Sequence, residues 1–137
     1  MRKLYLDTNI FIDILIDRDL ENLSLEMIMP YLETSQVYMS VLSIHITYYS
    51  LRVVAASQEH KNISKLIDLI NLIPLDISIL QESMDNYKID FEDTLQYYSA
   101  LSEKCDYIIT KDLKDLRRIK KFCPSDIKIV KNLKGIN

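Results

Sequence analysis

Lys3-Leu4-Tyr5-Leu6-Asp7-Thr8-Asn9-Ile10-Phe11-Ile12 is the stretch that decides the fold. Leu4, Tyr5 and Leu6 are apolar on consecutive positions rather than alternate ones. That pattern suits a strand buried on both faces, as in a parallel sheet. An acid, Asp7, ends the run, and Ile10–Leu15 follows as a short buried helix. Four further runs read as strands: Val37–Ser40, Leu72–Leu75, Tyr107–Thr110 and Ile127–Val130. Between them lie segments with helical spacing: Leu20–Glu33, Ser43–Ala56, Lys61–Asn71, Ser78–Lys88, Phe91–Lys104 and Leu113–Phe122. Strands alternate with helices, so the sequence predicts a three-layer α/β/α sandwich around a mostly parallel sheet. Ligands of such folds sit at the carboxyl ends of the strands.

The bulk composition agrees. The chain has 137 residues, 48% hydrophobic and 27% charged, enough to bury a core within one domain spanning 1–137. One Gly and three Pro argue against a long disordered linker and against a turn-rich all-β fold. A net charge of −3 supplies no global field for nucleic acid. A phosphate-bearing partner would need a local basic patch or bound cations. Cys105 and Cys123 lie in no metal-binding pattern and read as free thiols in a reducing compartment. No apolar run approaches a membrane span, and no signal peptide is evident, so a cytoplasmic protein without a membrane partner is expected.

Three acidic places share one predicted location. Asp7 follows the first strand. Asp90-Phe91-Glu92-Asp93 opens a helix, and Thr110-Lys111-Asp112-Leu113-Lys114-Asp115 follows the fourth strand. Each acid has an ordinary explanation as a helix cap or as a charge at the positive end of a helix dipole. Together they crowd one edge of a parallel sheet. Crowded carboxylates stay ionised only when a cation or protons offset their charge. Hard cations such as Mg²⁺ or Mn²⁺ prefer oxygen ligands, can activate water, and can stabilise a phosphodiester under attack.

These residues resemble a known family. Leu6-Asp7-Thr8-Asn9-Ile10-Phe11-Ile12 is similar to the opening strand and turn of PIN domains, the fold of VapC-type toxins. Asp90-Phe91-Glu92-Asp93-Thr94-Leu95-Gln96 and Ile108-Ile109-Thr110-Lys111-Asp112 resemble later motifs of that family. The resemblance implies a metal-dependent endoribonuclease, a hydrolase paired with an antitoxin. Asp7, Asp93 and Asp112 would be metal ligands and catalytic residues, with Asp90, Asp115 and Ser43 assisting and Mg²⁺ or Mn²⁺ as cofactor. One departure stands out. The family's usual Glu, on the helix after the second strand, falls on Ile46, which binds neither metal nor a proton. A second reading therefore stays open: a PIN-like module that binds RNA or a protein without cleaving.

Other features are weaker. Lys111, Lys114, Arg117, Arg118, Lys120 and Lys121 form the one clear basic cluster, either an RNA-backbone contact or a solvated helix face. Lys111, Lys114, Arg117 and Arg118 border the acids and are the expected RNA-binding residues. The tyrosine pairs Tyr48/Tyr49 and Tyr97/Tyr98 suit base stacking, core packing or a homodimer contact. Ser43 and Ser40 are turn hydroxyls that could reach metal-bound water. With His45 and His60 the only histidines, a histidine-based ribonuclease is poorly supported.

Overall fold

A computed structural model describes residues 1–18 and 24–136. The strands are β1 (Arg2–Leu6), β2 (Ser35–Ser40), β3 (Asn71–Ile73), β4 (Tyr107–Ile109) and β5 (Lys128–Val130). The helices are α1 (Thr8–Leu15), α2 (Leu25–Thr34), α3 (Val41–Ser50), α4 (Gln58–Ile67), α5 (Ile77–Asn86), α6 (Phe91–Ser102) and α7 (Leu113–Phe122). All four strand pairings are parallel, in the order β3-β2-β1-β4-β5. No helix among the described residues is long and apolar enough to cross a membrane.

Alternation along the central strands builds the three layers. Leu4, Leu6, Tyr107 and Ile109 pack on one face with residues of α1, α2 and α4. Tyr5 and Ile108 pack on the other with residues of α5, α6 and α7. Both faces are dry, which explains the unbroken apolar runs in sequence. The chain winds outward from β1 through β2 to β3, then restarts beside β1 with β4 and continues to β5. The switch point of the sheet is therefore the crevice between β1 and β4, where the two connections leave in opposite directions.

The elements expected from sequence all form, with shifted ends. Ser57 caps α4 by accepting from His60 N at 3.2 Å, so that helix starts upstream of Lys61. Pro74 follows β3 and lacks the N–H a longer strand would donate, so β3 ends at Ile73 rather than Leu75. The expected helix to Ala56 stops at Ser50. There Arg52 adopts φ 50°, and Val53 N and Arg52 N bond back to Tyr48 O and Tyr49 O. Lys104, at φ 55°, closes α6 with the same pattern, Cys105 N to Ala100 O and Lys104 N to Leu101 O. Both are left-handed helix stops in which Gly is the usual residue. Leu20 and Leu23 of the expected second helix lie outside the described residues; its described part begins at Leu25, behind the Ser24 cap.

Lys104 is exposed, so its strained backbone can be relieved without touching the core. Lys104→Gly is expected to stabilise the protein by about 1 kcal/mol. Urea denaturation measures this, and a loss of stability would contradict the assignment of Lys104 as a strained stop.

Candidate metal centre

Asp7 is the first residue past β1 and caps α1. Its Oδ1 accepts from Thr8 N at 2.8 Å, and its Oδ2 accepts from the Thr110 hydroxyl at 2.7 Å. Thr110, the first residue past β4, is fully buried, and its hydroxyl also accepts from Asp112 N at 2.9 Å. One threonine thus ties the carboxylate at the end of β1 to the backbone of the acid at the start of α7. Asp112 occupies the cap position of α7 but makes no side-chain cap hydrogen bond, and it is exposed. Its carboxylate is therefore not consumed by the helix.

Asp93 sits in the first turn of α6 and is buried. The cap of that helix is Asp90, which accepts from Asp93 N at 2.9 Å. The sequence allowed all three acids to be mere caps. Asp90 carries the cap of α6, and that leaves Asp93 to face Asp7 and Asp112. One carboxylate oxygen from each of Asp7, Asp93 and Asp112 lies within 4.8 Å of the others. An all-oxygen set of this size and charge fits a hard divalent cation.

The electrostatics record the crowding. Burial pushes the Asp93 carboxyl up to about 8, with further upward pressure from Asp7, Asp90, Asp112 and Glu92. Burial also raises Asp7; its hydrogen bonds from Thr110 and Thr8 pull the other way, and Asp112 and Asp90 add repulsion. Glu92 is raised as well, first by burial and then by Asp7, Asp90 and Asp112. Three negative charges this close call for a proton or a cation.

The remaining expected residues divide. Ser43 is buried beside the site, 2.8 Å from the Thr8 hydroxyl. Asp115 is half-buried one turn along α7 and is not part of the three-acid group. Ile46 is half-buried and His45 exposed, so no ionisable side chain of α3 takes the place of a fourth acid. Lys111 is exposed, and its ammonium pairs with Asp13, a fully buried acid on α1 that also meets Arg18 at 3.3 Å. Lys120 turns inward to Ile127 O at 2.7 Å. Lys114, Arg117, Arg118 and Lys121 are exposed. In each tyrosine pair one ring faces outward more than the other. Tyr97 is buried beside half-buried Tyr98; half-buried Tyr48 bonds His60 at 2.7 Å, and Tyr49 is exposed. Cys105 and Cys123 are free.

Several residues of the site escaped the sequence reading: Thr8, Asp13, Glu92, Gln96 and Thr110. Asp13 had a signal, an acid inside the apolar run Ile10–Leu15. Gln96 had one too, a neutral polar residue inside a buried helix stripe.

A family model described as PIN domain matches residues 3–114. Among solved structures, the chain is similar to VapBC from Salmonella typhimurium bound to DNA, at TM-score 0.69 and 17% identity over 94% of this chain and 97% of that one. It is similar to VapBC2 from Rickettsia felis bound to a promoter DNA fragment, at TM-score 0.69 and 13% identity over 93% and 96%. FitAcB from Neisseria gonorrhoeae follows at TM-score 0.61 and 14% identity over 93% and 96%. At these identities the likeness shows the fold. No curated protein matches the chain significantly.

The pH dependence of stability follows from the crowded acids. Asp93 and Asp7 hold their protons more tightly in the folded protein than at the ordinary 3.8 of an unfolded chain. The folded state then binds more protons than the unfolded state, so stability falls as pH rises. For the cation-free protein the melting temperature is expected to decline as pH climbs from 3.8 towards about 8, the upper limit set by Asp93. Millimolar Mn²⁺ should reverse that decline, because a cation replaces the proton. Thermal melts across this range, with Mn²⁺ and with chelator, decide it; a cation-free melting temperature that climbs through neutral pH would overturn the assignment.

Proposed function

The chain belongs to the PIN domain family, and from that premise we propose that it is a metal-dependent endoribonuclease, the toxin of a type II toxin–antitoxin pair. The observation that carries this reading is the convergence of Asp7, Asp93 and Asp112 at the switch point of the sheet. Such a site lies at the open carboxyl edge of the strands, where a chain of phosphates can approach.

In this reading Asp7, Asp93 and Asp112 would hold Mg²⁺ or Mn²⁺, which would supply an activated water and offset charge on the phosphodiester. The protein's own residues set the geometry. Thr8 N and Thr110 fix both oxygens of Asp7. Asp93, whose carboxyl burial pushes up, would have to be deprotonated to serve as a ligand. Asp112 would be the ligand on the exposed side of the cluster, with Asp90 and Glu92 adding negative charge beside Asp93 and Asp115 assisting from α7. Lys111, Lys114, Arg117 and Arg118, exposed at and after the start of α7, would contact phosphates, since a net charge of −3 supplies no global attraction. RNA is the substrate proposed, in a cytoplasmic protein whose residues 1–137 form one PIN-like domain.

A second reading has its own observation: Ile46 stands where the family's Glu is expected. A module that binds without cleaving would keep the fold and lack turnover. Metal-dependent cleavage distinguishes the two. Asp7→Asn and Asp93→Asn are each expected to lower RNA cleavage with Mn²⁺ by more than about 100-fold while circular dichroism stays native. Cleavage at the wild-type rate in both variants would refute the mechanism, and no cleavage of diverse RNAs by the wild type would favour the silent module.

Partners follow from the same likeness. The VapBC and FitAB structures are complexes, so an antitoxin protein is the partner proposed here. A homodimer has support in α5. Ile77, Leu80 and Met84 on the helix, and Tyr87 at its C-cap, are exposed and recur at three- and four-residue spacing. The stripe reads the same from either end, and antiparallel pairing would set Asp76 at one end of the helix against Lys88 at the other end of its copy. Light scattering is expected to give a dimer for the wild type and a monomer for Ile77→Glu combined with Met84→Glu. A monomeric wild type at tens of micromolar would remove this surface from the proposal.

A further inference from the structure

Beside the acids lies a buried neutral cluster that the metal-site reading does not use. Gln96 is fully buried on α6, one turn beyond Asp93. Its Nε2 donates to the Thr8 hydroxyl at 3.2 Å and to the Ser43 hydroxyl at 3.2 Å. Its Oε1 accepts from the Tyr5 hydroxyl, and more weakly from Ser43 at 3.4 Å. Thr8 and Ser43 close the ring at 2.8 Å. Tyr5, Thr8 and Ser43 are all buried, and Gln96 supplies each of their hydroxyls with a partner.

The connectivity is more telling than the number of bonds. Tyr5 belongs to β1, Thr8 to α1, Ser43 to α3 and Gln96 to α6. Asp7 is the neighbour of Thr8 and takes a hydrogen bond from its N–H. Asp93 is on the helix of Gln96. Whenever both carboxylates are ionised they repel, and repulsion would widen the gap between the turn before α1 and the start of α6. A carboxamide with two donors and an acceptor can bind both sides of that gap without adding charge. A carboxylate in the same place would satisfy Tyr5 but could donate to neither Thr8 nor Ser43.

We infer that Gln96 is a positioning residue of the acid site, a neutral clamp that sets the spacing of Asp7 and Asp93 by holding Thr8 and Ser43 to α6. This rests on the metal-site reading. It also gives α3 a place in the site through Ser43, although Ile46 contributes no acid. Gln96 acts through Thr8 and need not touch the cation.

The test is Mn²⁺ affinity by isothermal titration of the full chain, together with melting temperature. Gln96→Leu keeps the side-chain bulk and deletes the clamp; Thr8→Val deletes only its hydroxyl end. Each is expected to weaken Mn²⁺ binding by roughly 10-fold or more, the usual effect of losing a group that orients ligands. The double variant should bind about as poorly as the worse single one, because both remove the same link. Tyr5→Phe serves as a milder variant that keeps the ring in the core should Gln96→Leu fail to fold, and it is expected to weaken binding in the same direction. A merely structural Gln96 would lower the melting temperature but leave Mn²⁺ affinity unchanged in the folded variants. That outcome, with a wild type that binds Mn²⁺, overturns the clamp alone. A wild type that does not bind Mn²⁺ overturns the clamp together with the metal-site reading.

Discussion

The parallel pairing of β1 with β4 is the constraint on which the rest depends. It brings together two chain segments about a hundred residues apart and runs their carboxyl ends side by side. Asp7 N bonds Ile109 O at 3.0 Å at the end of that ladder. The next residue on β4's strand is Thr110, whose hydroxyl reaches Asp7. Asp7 and Asp112 therefore meet because two strand ends meet. The third acid arrives on α6, which packs against the face of the sheet that carries Tyr5 and Ile108.

Bringing three carboxylates together costs free energy, and the surrounding structure offsets it in parts. Backbone and hydroxyl donors hold Asp7. The cap of α6 is given to Asp90, which releases Asp93 from that duty. Asp13 receives the Lys111 ammonium, which pins the residue next to Asp112 onto α1. That ion pair sets a solvent-exposed ammonium against a fully buried acid, which Arg18 also meets, so loss of Asp13 would release both cations. Of the basic cluster only Lys120 turns inward; Lys114, Arg117, Arg118 and Lys121 are exposed on α7, with Lys111 exposed just before it.

Much of the fold was legible because burial on both faces leaves a distinct mark. Consecutive apolar residues at Leu4–Leu6 and Tyr107–Ile109 announced parallel strands, and helical spacing marked α2, α4 and α6, while the short 3-10 turn Leu133–Gly135 left no such mark. Ends were less legible. The helices that end before Arg52 and Lys104 carry no glycine to signal the stop; a left-handed non-glycine residue closes each, with backbone bonds to the last turn. The start of α4 was missed because Ser57 was not recognised as a cap. The acids were found by their place after strands and at helix starts. Their helpers were not, since a threonine or glutamine in a buried run looks the same whether it serves a site or only the core.

The sequence by itself determined the alternation of strands and helices, the dry central sheet, and the delivery of Asp7, Asp93 and Asp112 to one edge of it. Those features are local: they follow from side-chain periodicity and from where each acid falls relative to its own element. Only the tertiary structure decided that Asp90 would take the cap and leave Asp93 to the cluster. It alone set Lys111 against Asp13, and Gln96 between Thr8 and Ser43. Each of these choices depends on a partner distant in sequence, and no periodicity along the chain encodes which buried polar group will meet which.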